Sequence, residues 1–381
     1  MSYQRVSTSF IEHASDVASF YGFQPLRDVE RALPKELRNP GRPHNFASAL
    51  QTCAARVTPK TPEPILAFHA TPAPVHLPAA HLPRETGEFG LHVVGSNESL
   101  SEVILIKTLH TIMSEWGAPV ARLRINSLGD RDSRVRFERE LSAYVRKHGP
   151  ELQPECRAAF AANPFGLYAC THEGCREILA DGPRAINFLS EKSRLHFREV
   201  LEYIENIGLP YEIDDLLVDN EREPRVLFAF DLEHEDPVIQ SAVGGRYDEH
   251  LRTLTNKKEG AAVSASIFFR KKGLERSDFT IARAPAIPKI YFVQLGARAK
   301  FQSLAVLDIL RQARLPIIQS FDPKSIGPQF ASANQLGVSH LFIMGHREAL
   351  DGTLIIRTVA NSSQQTVPLT MLPRFLKGLK V

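Results

Sequence analysis

Apolar positions at Phe10, Val17, Phe20 and Phe23 recur at roughly helical spacing and predict a first helix within residues 1–27 that ends near Tyr21-Gly22. Residues 33–86 break that rhythm. Prolines at 59, 62, 64, 72, 74, 78 and 83 leave room for a helix only at Phe46–Arg56 and for short strands such as Ile65–His69 and, beyond them, Gly90–Val94. A stretch this poor in regular structure inside a domain signals a functional loop or a decayed element. Order resumes with an amphipathic helix over Leu100–Trp116, carrying Val103, Ile106, Leu109 and Ile112 on one face, followed by a strand over Val120–Ile125. Residues 131–207 read mainly as helix, with turns at Asn163-Pro164 and Asp181-Gly182-Pro183. Strand signals fill Tyr211–Ile239 and Ala262–Phe269; their short connections predict antiparallel pairing.

Beyond a linker the rhythm changes again. Strands at Ile290–Gln294, Ile317–Gln319 and Leu341–Met344 alternate with helices at Ala299–Ala313, Lys324–Leu336 and Met371–Leu379. That alternation predicts a small α/β domain with a mostly parallel sheet. The expected domains are therefore 1–280 and 289–381, joined by 281–288, with a helical insertion at about 131–207 in the first.

Composition narrows the class. With 43% hydrophobic and 23% charged residues, the 381-residue chain is an ordinary globular one, not collagen-like, coiled-coil or disordered. No apolar run approaches the length of a membrane span and the N-terminal stretch lacks a signal-peptide core, so the expectation is a soluble cytoplasmic protein without membrane contact. Four cysteines point to a reducing compartment. Charge is uneven: residues 288–381 hold 11 Lys plus Arg against 4 Asp plus Glu, while the remainder is mildly acidic. A basic terminal domain suits a polyanionic partner, and Arg298, Lys300, Arg311, Arg314, Lys324 and Arg347 are the candidate phosphate contacts. Cys170-x-His172-x-x-Cys175, with Cys156 upstream, is a candidate zinc cluster, but its spacing is at the edge of the Cys-x₂₋₄-Cys pairs of such sites; idle thiols and no metal are the expected reading, with a zinc site as the alternative.

Several fragments, in order, resemble bacterial histidyl-tRNA synthetases, which are class II aminoacyl-tRNA synthetases. They are Tyr21-Gly22-Phe23, Phe89–Ser96, Ser101-Glu102-Val103-Ile104, Arg124-Ile125-Asn126-Ser127-Leu128-Gly129-Asp130 and Asn163-Pro164. His196-Phe197-Arg198-Glu199-Val200, Gly208-Leu209-Pro210-Tyr211 and Gly244-Gly245-Arg246-Tyr247-Asp248 follow. The tail, with Tyr291–Gly296 and Gln335-Leu336-Gly337-Val338, is similar to that family's anticodon-binding domain. The resemblance implies an α+β fold: an antiparallel six-stranded core sheet flanked by helices, a helical insertion and a terminal α/β domain. It also implies a homodimer that activates histidine with ATP and Mg²⁺ and transfers it to tRNA in protein biosynthesis.

Against that family's pattern, the cationic clamps are altered. Adenylate formation needs positive groups on the phosphates, and arginine suits them because its planar fork holds two oxygens at once. Where the family's second motif carries an arginine, this chain reads Ala73-Pro74-Val75-His76, with Arg84-Glu85 at the loop's end. The third motif's Glu-Arg becomes Arg270-Lys271, and Phe268 stands in place of a small glycine. The family's Arg-Gly-Leu-Asp segment reads Asp219-Asn220-Glu221-Arg222, and its amino-group-holding segment has no counterpart between Gly41 and Cys53. Arg84, Arg222 and Lys271 are the remaining catalytic candidates. Gly244, Gly245, Arg246, Tyr247 and Glu85 are the candidate ligand contacts, though Arg246 and Asp248 could equally form an internal ion pair. Three readings follow: a synthetase-like tRNA-binding protein with adenylation weak or lost; a working histidine–tRNA ligase with substituted clamps; or, through a protein partner, a regulatory subunit in histidine synthesis.

Overall fold

The computed structural model describes residues 3–38, 44–57, 64–72, 85–219, 222–271, 274, 279, 289–315, 317–319 and 326–379. The first domain opens with helix α1 (Tyr3–Phe20), β1 (Gln24–Pro25), α2 (Leu26–Arg31) and α3 (Phe46–Arg56). Strands β2 (Ile65–Thr71) and β3 (Thr86–Val94) precede α4 (Leu100–Trp116) and β4 (Val120–Ser127). The insertion holds α5 (Arg131–Lys147), α6 (Pro154–Ala162), α7 (Glu173–Ala180) and α8 (Glu191–Asn206). Then come β5 (Tyr211–Ile213), β6 (Val226–Leu232), β7 (Ile239–Arg246), α9 (Asp248–Thr255) and β8 (Ala262–Arg270).

These strands form one sheet in the order β1-β2-β3-β8-β7-β6-β4-β5. Its six central strands pair antiparallel, as the short connections require, and only the edges pair parallel. Every residue of β3 is buried, because both faces of the sheet are covered. One face packs Phe68, Phe89, Leu91, Val93, Ile267 and Phe269 against α1 and α4. Phe46–Arg56 forms the helix its pattern predicts, capped by Asn45.

The terminal domain comprises β9 (Ile290–Gln294), α10 (Ala297–Gln312), β10 (Ile317–Gln319), α11 (Ile326–Gln335), β11 (His340–Met344), α12 (His346–Asp351), β12 (Thr353–Thr358), β13 (Gln364–Pro368) and α13 (Leu372–Leu376). Its sheet order is β10-β9-β11-β12-β13. The sheet is less parallel than the sequence suggests, because β12 and β13 add an antiparallel hairpin. β13 buries only Val367, so its polar edge gives little apolar signal. Linker residues 281–288 lie outside the described residues.

The two domains share one apolar core and are pinned by charged pairs along α10. Lys300 meets Glu98 at 2.8 Å, Asp308 meets Lys107 at 2.7 Å, and Arg311 meets Glu115 at 2.6 Å. Phe301 stacks on Tyr203 with ring centres 4.0 Å apart.

At the centre, Arg246 at the end of β7 and Glu102 on α4 are both 0% exposed and form a two-pronged pair at 2.6 Å on each prong. Arg246 also donates to the Ser96 and Glu98 carbonyls, and His196 lies 2.6 Å from Glu102. Burial alone would raise the Glu102 carboxyl, but Arg246 and His196 outweigh it and hold the group at about 2, below its ordinary 4.5. Glu102 therefore contributes stability that is present above pH 4.5 and lost as pH falls toward 2. Two outcomes are expected. Arg246→Leu, which strands a buried carboxylate, should cost about 3–5 kcal/mol, read from urea midpoints. In acid titrations, Glu102→Gln should lose stability less steeply below pH 4.5 than the unaltered chain.

Candidate functional site

Strand alternation puts His69 and Thr71 of β2, Glu88 and His92 of β3, and Ser264, Ser266 and Phe268 of β8 on the sheet face turned away from α4. All are buried. The Ser266 hydroxyl donates to Glu88 Oε1 at 2.6 Å, His92 Nδ1 lies 2.9 Å from the Ser264 hydroxyl, and the His69 and His92 rings stack with centres 5.1 Å apart. Burial, with the His92 and His44 rings nearby, holds His69 well below the usual imidazole range, so it is neutral near pH 7. This strip is a hydrogen-bonded, largely uncharged row beside one carboxylate.

The sheet opens into a cleft of about 440 Å³ beside that strip. Arg124, Asp214, Asp219, Arg222, Gly244 and Tyr247 line it from the sheet side, and residues 167–171 with Arg176 line it from the insertion. Its cations have carboxylate partners close at hand. Arg124 donates to Asp214 at 2.7 Å and to Asp231 at 2.9 Å; Arg222 lies 3.3 Å from Asp219 and stacks over the Phe46 ring. Burial pushes the Tyr247 phenol up, so it serves as a neutral hydroxyl.

The sequence candidates separate sharply on this geometry. Arg222, Gly244 and Tyr247 meet in the cleft. Arg246 faces the other way and is an internal partner of Glu102 and Asp248, so its assignment as a ligand contact is corrected. Gly245 is also corrected: a Cβ there would sit 2.5 Å from the Val226 carbonyl, so its bareness admits a neighbouring strand rather than a ligand. A Cβ on Gly244 would likewise meet the Phe228 ring at 2.5 Å. Glu85 is exposed and its carbonyl accepts from the Lys271 N–H, while the Lys271 ammonium donates to the Pro72 carbonyl; neither lines the cleft. Arg84 and Ala73–His76 lie outside the described residues.

Among the RNA candidates, Lys300 and Arg311 are corrected: both point into the first domain, as their pairs with Glu98 and Glu115 show. Arg298 and Arg314 are exposed, and Arg347 is 88% exposed at 3.6 Å from Asp351. Lys324 lies outside the described residues. The polar strip was missed by motif reasoning, though polar residues at every second position of otherwise apolar strands are its signal. The four insertion residues Cys156, Cys170, His172 and Cys175 converge, with all donor atoms within 4.8 Å of one another. Distance in sequence is a poor guide here because a turn folds α6 back on the start of α7.

If Gly245 serves packing, Gly245→Ala should lower stability of the ligand-free chain by about 1–3 kcal/mol. Thermal unfolding without added ligand reads this, and an unchanged midpoint would return Gly245 to the ligand contacts.

A family model described as an anticodon binding domain matches residues 290–379. A histidine–tRNA ligase of Desulforamulus reducens is 26% identical over 346 residues, covering 88% of this chain and 81% of that protein. Among solved structures, the apo histidyl-tRNA synthetase of S. aureus is 20% identical, with 99% and 97% of the two chains covered and a TM-score of 0.49. An ATP phosphoribosyltransferase regulatory subunit/histidyl-tRNA synthetase from Bacillus halodurans C is 13% identical, with 91% and 94% covered and a TM-score of 0.44. Along most of its length the chain is thus similar to histidine–tRNA ligases, and its terminal domain matches an anticodon binding domain.

Proposed function

We propose that this protein is a synthetase-like tRNA-binding protein whose histidine-activating chemistry is weak or lost. The observation that carries the reading is the buried strip of β2, β3 and β8, whose buried side chains include no Lys or Arg. On that face the buried side chains are His69, Glu88, His92, Ser264, Ser266 and Phe268, and the β8 row meets a cation only at its exposed end, in Arg270. A buried carboxylate beside the neutral His69 imidazole opposes a polyphosphate instead of clamping it. Removing one preorganised charge stabiliser typically costs ~10²–10³ in turnover, and a clamp needs several. Arg124 and Arg222 are the cations of the cleft nearest the sheet, and each is neutralised locally by a carboxylate.

The terminal domain supports tRNA as the partner, through Arg298, Arg314 and Arg347. The expected assembly is a cytoplasmic homodimer. A working ligase would need Mg²⁺ and ATP, with the ATP phosphates clamped by Arg84, Arg222, Arg270 and Lys271, and a regulatory role in histidine synthesis would need a transferase partner.

Histidine-dependent ATP–pyrophosphate exchange on the purified chain decides between these readings. No exchange above background, together with tRNA binding that weakens steeply with salt, is the expected result; robust exchange that Arg222→Ala abolishes would establish the ligase. Replacing Arg298, Arg314 and Arg347 together by Glu should weaken tRNA binding at least ~10-fold and flatten its salt dependence. Lys300→Ala should lower thermal stability and leave tRNA affinity nearly unchanged.

A further inference from the structure

The insertion contains a side-chain cluster that neither tRNA binding nor adenylation uses. Helix α6 starts at Pro154, which suits the first helical turn, and places Cys156 there. The chain then reverses: the Asn163 side chain accepts from the Phe165 N–H at 2.9 Å and opens a 3-10 turn over Pro164–Ala169. A Cβ on Gly166 would lie 2.6 Å from the Ala159 carbonyl, so the glycine lets this turn lie directly on α6. Cys170 follows the turn, His172 caps the N-terminus of α7, and Cys175 lies in that helix's first turn. Three of the chain's four cysteines and one histidine thus face one point; the fourth, Cys53, is buried in a separate core cluster.

The distances suit a tetrahedral metal. Cys156 Sγ lies 3.3 Å from Cys170 Sγ, and His172 Nδ1 lies 3.2 Å from each of these sulfurs. Zn–S bonds of about 2.3 Å and Zn–N bonds of about 2.0–2.1 Å hold their donors roughly 3.5–3.8 Å apart. The four donors here, all within 4.8 Å of one another, need only small rotamer adjustments to match. The sulfurs are too far apart for a disulfide, whose S–S bond is about 2.05 Å.

The surroundings are those of a metal-thiolate site. The His172 N–H points at Cys170 Sγ from 3.4 Å, and a Gln153 backbone group bonds to the Cys175 sulfur. The other ring nitrogen of His172 faces Glu155 Oε1 at 3.7 Å, as the outer carboxylate of a ligating histidine does. His172 is 48% exposed, yet Nδ1 turns inward to the sulfurs rather than out to water. Three thiolates and one imidazole favour zinc over hard cations, and four protein donors leave no open position for chemistry.

We propose that Cys156, Cys170, His172 and Cys175 hold a structural Zn²⁺ ion that closes the helical insertion and fixes the wall it presents to the cleft. The cleft connection is direct, because Tyr168, Cys170, Thr171 and Arg176 form part of that wall. The hydrophobic cluster of the insertion is small and separate from the main core, which is where a metal contributes most to folding.

The full-length chain purified under reducing conditions should contain about one zinc per chain by plasma mass spectrometry. Exchange for Co²⁺ should produce the visible bands of tetrahedral cobalt and a thiolate-to-metal charge-transfer band. Cys156→Ser should lose the metal. Because that variant could also unfold the insertion, the half-exposed His172 supplies the decisive pair. His172→Ala should keep the overall circular dichroism but surrender zinc to a chelator at least ~10-fold more readily. His172→Cys should retain cobalt with a stronger charge-transfer band from a fourth sulfur. A chain that takes up no cobalt, a cobalt spectrum unchanged in both His172 variants, or a Cys156–Cys170 disulfide in the freshly reduced and desalted protein would overturn the proposal.

Discussion

The buried pair of Arg246 and Glu102 is the point through which the architecture is tied together. Taking both charges out of water is expensive, and it is tolerated because every contact is met: two short bonds between them, two backbone carbonyls on the guanidinium, and His196 on the carboxylate. Arg246 ends the strand β7, Glu102 opens α4, and Asp248 opens α9 while accepting from Arg225. The loop that supplies the Glu98 carbonyl also supplies its carboxylate to Lys300, so the terminal domain is one residue removed from the central pair. Sheet, helix layer and tail are thereby fixed in a single frame.

That frame leaves the two faces of the sheet with different tasks. The contacts that hold the sheet lie on the α4 side, under Phe89, Leu91 and Val93, and are indifferent to what stands on the opposite face. There, histidine, serine and glutamate side chains bond to one another, as the Ser266–Glu88 and His92–Ser264 contacts demonstrate. The glycines at 244 and 245 belong to the frame as well, because Phe228, Ala265 and the Val226 carbonyl occupy the space a side chain would need.

The insertion follows a different logic. Its base is organised by Asp130, which caps α5 and accepts from Ser190 at the start of α8, so the Asn-Ser-Leu-Gly-Asp segment is explained by local hydrogen bonds. Its far end has fewer apolar partners and gathers sulfur and imidazole instead. The far end borders the cleft through Tyr168 to Thr171, facing Asp214 and Asp219 on the sheet side.

Periodicity alone determined much of the architecture. Phe46–Arg56 and Leu100–Trp116 are helices at the predicted bounds, the strands around Ile65 and Gly90 lie where gaps between prolines allow them, and short connections dictated antiparallel pairing. These features depend on local spacing, which a sequence displays directly. The resemblance to the synthetase family marked Arg222, Gly244 and Tyr247 as candidates, and they line one cleft. What only the tertiary structure decided was direction and company: that Arg246 turns inward, that Lys300 and Arg311 join domains instead of facing solvent, that polar residues spaced along three strands form one strip, and that Cys156 meets Cys175. Each depends on which face of an element is covered and by what, a property of packing between distant segments that no local pattern carries.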